Sequence, residues 1–218
     1  MSTESRKRLF WVGIFGIAMG WFEAAVVIYL RTLYYPEGFA FPVKVIPTNL
    51  AVVELGREAA TILMLIAVGW LAGRTSTEKF GYFIYAFGIW DIVYYIGLYL
   101  ALGWPESLLT WDILFLIPLP WIGPVLAPIL VSLGMIFSCF VIVSQEDRDK
   151  PVKPSKLFWW LEILCGLIII GSFIIDFRLV TDGGVPTRFH WEIFLLGFIP
   201  GILLFLLTWK KSNTESNT

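Results

Sequence analysis

Ionisable side chains interrupt three of the long apolar runs of this 218-residue sequence. Glu54, Arg57 and Glu58 lie in one run, and Glu23 and Asp91 each lie deep inside another. An ionised side chain at the bilayer centre costs about 2.5–3.5 kcal/mol on insertion scales, so such residues normally face a bundle interior or a water-filled cavity. On a helix, residues three or four apart are neighbours, so Arg57 can pair with Glu54, which shares a face with Glu58. These residues predict a polar site for cations, protons or acid–base chemistry.

The composition predicts that these residues belong to a membrane protein. The chain is 58% hydrophobic and 15% charged, whereas an average soluble domain has about 25% charged residues. Several runs are apolar on every side, which suits a helix in lipid. The net charge is −1, and the sequence contains no basic stripe or nucleic-acid motif, so the expected partner is the lipid bilayer and not nucleic acid.

We predict an all-α fold, a polytopic membrane helix bundle that forms a single transmembrane domain over residues 1–218. A helix needs about 20 residues to cross the hydrocarbon. The stretch 108–144 contains Pro118, Pro120, Pro124 and Pro128, and proline breaks helices. We therefore predict a half-helix or interfacial segment over 108–118, ahead of the fourth span. The six predicted spans are 9–31, 49–73, 80–102, 122–144, 157–176 and 190–209.

The distribution of basic residues predicts the orientation. With the N-terminus inside, eleven Lys and Arg residues fall in cytoplasmic segments and four in external ones. Cytoplasmic loops of membrane proteins carry an excess of these residues. The sequence therefore predicts a multi-pass membrane protein with both termini in the cytoplasm.

On this topology, the charged residues of the apolar runs approach one layer. Glu23 lies about 21 Å and Asp91 about 17 Å from the inner edge, at 1.5 Å per residue. The Glu54–Glu58 segment and Asp112 enter from the outside. We predict a carboxylate-rich pocket in the outer half of the bilayer, to which Tyr94 adds a phenol. The predicted pocket residues are Glu23, Glu54, Arg57, Glu58, Asp91, Tyr94 and Asp112.

Five carboxylates outnumber the single arginine of this predicted pocket, and like charges repel strongly at low dielectric. The excess could be neutralised by bound protons, by a bound cation, or by water and a cationic substrate. Alternatively, the acids serve only to join helices through hydrogen bonds and ion pairs. The same residues also fit a membrane-embedded enzyme acting on a lipid-like substrate, or a structural subunit of a larger complex.

A divalent metal is a further alternative for the same residues, although no cofactor is assigned. Hard oxygen ligands suit Ca, Mg, Mn or iron. The candidate ligands are Glu23, Glu54, Glu58, Asp91 and His190, the single histidine of the chain. No Glu-x-x-His pair, the signature of di-iron bundles, is present.

Three segments resemble those of small bacterial multi-pass membrane proteins to which no activity is assigned. They begin at Glu54 (ELGRE), at Trp90 (WDIVYY) and at Trp111 (WDILFLIP), and the similarity covers about residues 50–130. The resemblance implies a bacterial inner-membrane location and carries over no functional residue. The carboxylate-rich pocket leads to the main hypothesis, which is binding or movement of a cation, proton or cationic solute. Because six helices are few for a transporter, we expect the chain to form a homo-oligomer or to join a membrane complex.

Overall fold

The computed structural model describes residues 1–44 and 47–215, most of which lie in helices. Five helical segments are long and apolar enough to cross a membrane, whereas α2, which contains Glu54, Arg57 and Glu58, is not among them. The helices are α1 (Thr3–Tyr34), α2 (Thr48–Ala72), α3 (Ser76–Leu102), α4 (Leu126–Glu146), α5 (Lys156–Ile174), α6 (Phe177–Thr181) and α7 (Trp191–Glu215). The strands are β1 (Trp111–Phe115) and β2 (Trp121–Pro124). Each predicted span overlaps one of the six long helices.

Local signals set several helix ends. The hydroxyls of Thr75 and Ser155 accept backbone N–H bonds from residues three positions later, Glu78 and Phe158, at 3.1 Å. Such N-caps satisfy donors that have no partner within the helix. Gly103 directly follows the last residue of α3 and has a left-handed φ of 64°. This conformation costs glycine little.

The predicted half-helix over 108–118 is wrong, because this segment forms one strand of an antiparallel hairpin, with Asp112 opposite Gly123. Pro118 and Pro120 lack an N–H and cannot continue a helix, whereas the Trp, Ile and Phe residues of β1 favour strands. Pairing the strands satisfies the backbone groups that a broken helix would leave open. Helix α4 accordingly begins at Leu126, later than the predicted position 122.

Helix α3 is the centre of the bundle, with α1, α2 and α4 packed around it, while α5 packs mainly on α7. Glycines allow the close approaches between these helices. A Cβ at Gly20 would lie 2.6 Å from the Trp90 carbonyl oxygen, and one at Gly197 would lie 2.7 Å from that of Cys165. Small residues at such contacts are typical of membrane helix pairs.

The surface of the bundle is apolar and its interior holds charges. Trp11, Leu71 and Trp160 are 66%, 83% and 71% exposed, whereas Glu54 and Asp112 are 6% and 1% exposed. This distribution reverses that of a soluble protein, in which large apolar side chains lie mostly inside and Asp and Glu lie mostly at the surface. The apolar outer surface therefore fits a lipid environment.

One end of the bundle gathers the start of α1 and the loops that follow α2 and α4. The Asp147 carboxylate accepts hydrogen bonds from the Ser2 N–H at 2.7 Å, the Ser5 hydroxyl at 2.8 Å and the Ser2 hydroxyl at 2.9 Å. At the same end, the Arg8 guanidinium donates to the Ala72 carbonyl at 3.2 Å. These contacts place the start of α1, the end of α2 and the residue after α4 on the same side of the bundle.

We expect Asp147 to make the stability of this end pH-dependent. Partial burial raises the pKa of Asp147, but the bonds from Ser2 and Ser5 outweigh it and hold the pKa below its ordinary value of 3.8. A carboxylate with a lowered folded-state pKa stabilises the protein above its unfolded-state pKa, and this stabilisation is lost as the pH falls through the folded-state pKa. Asp147→Asn should lower the free energy of unfolding by about 1 kcal/mol at neutral pH. It should have no effect at a pH low enough to protonate Asp147 in the wild-type protein. Unfolding in detergent across a range of pH measures both. An equal cost at every pH would contradict the assignment.

Candidate functional site

The Arg57 guanidinium is the centre of a group of three carboxylates, which we call the Arg57 cluster (Glu23, Glu54, Arg57 and Glu58). Its Nε donates to Glu54 Oε2 at 2.7 Å, and its Nη1 contacts Glu23 Oε1. Glu58 Oε1 lies 4.0 Å from Nη2. The three acids are 5–6% exposed. The one-turn spacing in α2 presents Glu54, Arg57 and Glu58 together, and α1 supplies Glu23 across the helix contact.

The hairpin completes this cluster. Both carboxylate oxygens of Glu58 accept the Leu116 backbone N–H, at 3.1 and 2.9 Å. Leu116 directly follows β1, so the N–H lies where the chain leaves the strand. On the other side, the Thr61 hydroxyl lies 3.4 Å from Glu23 Oε2. The cluster therefore ties α1, α2 and the hairpin together through charge-assisted hydrogen bonds.

Asp112 does not join the Arg57 cluster but pairs with Arg31. Arg31 Nη2 donates to Asp112 Oδ1 at 2.8 Å, and the two side chains are 8% and 1% exposed. The guanidinium also lies over the rings of Trp104 and Phe39, at 3.7 and 4.4 Å, where cation–π attraction adds to the ion pair. Arg31, at the end of the predicted span 9–31, is one of the four basic residues assigned above to external segments, and its pairing with Asp112 was not predicted. The signal was its position in the same helix as Glu23, eight residues further on.

Asp91 occupies a third position. Its Oδ2 accepts a hydrogen bond from the Ser132 hydroxyl of α4 at 2.8 Å, and the residue lines a large cavity between helices. Tyr94 follows Asp91 by three residues on α3, which places the two side chains on neighbouring positions of that helix. The other six predicted residues thus fall into three small polar groups, and among them Glu23, Glu54, Arg57 and Glu58 share direct contacts.

The carboxyl groups exceed the cations even after Arg31 is included. The three polar groups hold five carboxyl groups and two guanidinium groups, so full ionisation would leave them with a formal charge of −3. In the Arg57 cluster alone the balance is 1 − 3 = −2. Water stabilises such charges poorly at this burial, so a proton or a cation bound there lowers the electrostatic energy.

The described ranges 1–44 and 47–215 contain no group of three or more His, Cys, Asp and Glu residues arranged to hold a metal ion. The carboxylates of Glu23, Glu54 and Glu58 instead face a guanidinium and a backbone N–H. His190 contacts Glu192 at 3.3 Å and Asp176 at 3.7 Å, near the start of α7. In this geometry the carboxylates take part in charge pairing and in a hydrogen bond from the hairpin.

The comparisons with known proteins add no assignment to this geometry. No protein-family model, curated protein or solved structure matches the chain.

Proposed function

We propose that all six long helices cross the membrane with both termini in the cytoplasm, and that this membrane is the bacterial inner membrane, as the resemblance of the three sequence segments implies. Contacts at one end of the bundle support an even number of crossings. Asp147 bonds to Ser2 and Ser5 there, and the Lys153 N–H lies 3.2 Å from the hydroxyl of Ser212, near the end of α7. The excess of basic residues in these same segments supports a cytoplasmic location for this end.

We further propose that the Arg57 cluster binds and moves a proton or small cation within the outer half of the bilayer. The observation that carries this proposal is that three buried carboxyl groups surround one guanidinium. A purely structural ion pair needs one acid for each base, whereas this cluster has two in excess. Ionisable residues within membrane spans commonly belong to ion pathways and proton relays.

The hairpin gives the cluster a means of responding to charge. Glu58 accepts the Leu116 N–H through both oxygens, and an ionised carboxylate accepts a hydrogen bond more strongly than a protonated one. Protonation of Glu58 would therefore weaken the contact between α2 and the hairpin. Many transporters have irregular backbone beside a polar site. Because six spans are few for a transporter, we propose that the chain acts as a homo-oligomer.

Proton flux into proteoliposomes tests this function. Under an imposed membrane potential, the wild-type protein should acidify the lumen, as read by a trapped pH-sensitive dye, faster than protein-free liposomes. Glu54→Gln removes a carboxylate but keeps its shape, so we expect flux to fall at least about tenfold, as for other positioned proton-transfer groups. Asp91→Asn should also lower flux if the three polar groups act together.

The matched control is Glu4→Gln, which removes an exposed acid paired with Arg8 on the surface. Its flux should equal that of the wild-type protein. Wild-type flux no greater than that of empty liposomes, for protons and for sodium and potassium ions alike, would contradict the proposal. Full flux in Glu54→Gln would exclude the Arg57 cluster as its route.

A further inference from the structure

A cavity of about 420 Å³ separates the α3–α4 pair from the α5–α7 pair. Its wall extends from Phe158 and Trp159, near the start of α5, to Trp121 in the hairpin and Phe173, near the end of α5. The rings of Trp121 and Phe173 stack with centroids 5.8 Å apart at that end. The cavity therefore runs along much of the length of the bundle and is open over part of its surface.

The lining of the cavity is mostly apolar and aromatic, but it contains two carboxyl groups. Asp91 contributes one from α3 and Glu162 contributes the other from α5. Among the described residues that line the cavity, none is Lys, Arg or His. A ligand of this cavity thus meets apolar walls and negative charge, with no positive side chain to compensate.

Glu162 is the more informative of the two acids. Within 1–44 and 47–215, its carboxylate has no hydrogen-bond donor and no basic partner among the contacts of this structure. Its Oε2 lies 3.4 Å from where a Cβ of Gly201 would be, so the glycine of α7 makes room for it. A carboxylate inside an apolar bundle is costly unless it is paired, and the cavity is the space from which a partner can reach it.

The aromatic lining adds a second feature. Trp90, Trp121 and Trp159 all line the cavity, together with several Phe rings. Aromatic faces attract cations, most strongly when the cation is desolvated.

We propose that this cavity binds a lipophilic organic cation, such as an ammonium group carrying apolar substituents, with Glu162 and Asp91 as its counter-charges. An anion would find two carboxylates and no base. A bare inorganic cation would exchange its hydration shell for mostly apolar walls. A neutral apolar molecule would leave Glu162 without a partner. The proposal goes beyond the proton or cation site, because no residue of the Arg57 cluster lines this cavity.

The test uses the purified full chain in lipid nanodiscs, with radiolabelled phenyltrimethylammonium as the probe. The wild-type protein should bind it saturably above empty nanodiscs. Glu162→Gln should weaken binding about tenfold or more, because it removes a counter-charge at low dielectric. Glu192→Gln, which removes an exposed acid of α7 that does not line the cavity, should bind as the wild type does.

Two further measurements separate loss of charge from loss of shape. The neutral isostere tert-butylbenzene should bind Glu162→Gln at least as well as the wild-type protein, because the variant preserves the apolar walls and removes the unpaired charge. If both ligands are lost together, Glu162→Asp, which keeps the charge, should restore binding of the cation. Failure of that rescue, absence of saturable wild-type binding, or full binding by Glu162→Gln would each overturn the proposal.

Glu54→Gln distinguishes this proposal from the proposed function. It should lose proton flux and keep phenyltrimethylammonium binding, whereas Glu162→Gln should lose the binding. Loss of probe binding in Glu54→Gln at normal stability would contradict the separation of the two sites. Failure of the flux experiment leaves the cavity proposal standing, because the flux proposal rests on the Arg57 cluster and the cavity proposal rests on Glu162.

Discussion

Arg57→Ala is expected to lower the free energy of unfolding by about 3–5 kcal/mol, the range measured when one partner of a buried ion pair is removed. Arg57 is 16% exposed and faces three buried acids. Without the guanidinium, these acids would remain close together with no cation between them. The measurement is the unfolding midpoint in mixtures of mild and denaturing detergent, read by circular dichroism.

Two other variants give this result its meaning. Arg57→Lys keeps the charge but loses the planar fork that reaches two acids at once, so it should recover only part of the loss. Arg188→Ala removes an arginine that is 74% exposed and pairs with Glu192, and surface pairs contribute about 0–1 kcal/mol. Equal midpoints for Arg57→Ala and Arg188→Ala would show that the Arg57 cluster does not hold the helices together.

A loss of comparable size, about 3–5 kcal/mol, is expected for Arg31→Ala. The substitution leaves Asp112, which is 1% exposed, without its cation. It also removes the contacts of the guanidinium with the rings of Trp104 and Phe39. Because Asp112 lies in the hairpin, the loss of stability should appear there first. The Ile113 N–H donates a hydrogen bond to Asp112 Oδ1 at 2.8 Å, so amide hydrogen exchange at Ile113 should become faster.

The double variant Arg31→Leu, Asp112→Asn separates the cost of an unpaired charge from the value of the pair. Replacing both members of a buried pair is often nearly neutral, whereas removing one is strongly destabilising. We therefore expect the double variant to be more stable than the single variant Arg31→Leu. A double variant whose loss of stability equals the sum of the losses in Arg31→Leu and Asp112→Asn would mean that Arg31 and Asp112 act independently.

The local contacts of Glu54, Arg57 and Glu58 could be predicted from their spacing, because side chains three and four positions apart on a helix are neighbours in any fold. The five apolar helices could be predicted for a similar reason, since the length and hydropathy of a run decide whether it can cross lipid. The prolines showed where a helix cannot continue, but they did not show which structure takes its place. The hairpin of 111–124 depends on a second strand that pairs with the first, and such pairing is not a local property.

By itself, the sequence determined a mostly helical protein with an apolar surface and an excess of acids inside it, because composition and periodicity follow from the chain alone. Only the tertiary structure decided which helices meet, and so divided the acids among Arg57, Arg31 and Ser132. It also showed Arg31 to be an interior residue and Glu162 to face a cavity, although neither residue stands near a recognisable motif. Partners supplied by distant segments depend on the packing of whole helices, which the residue spacing within any one helix does not encode.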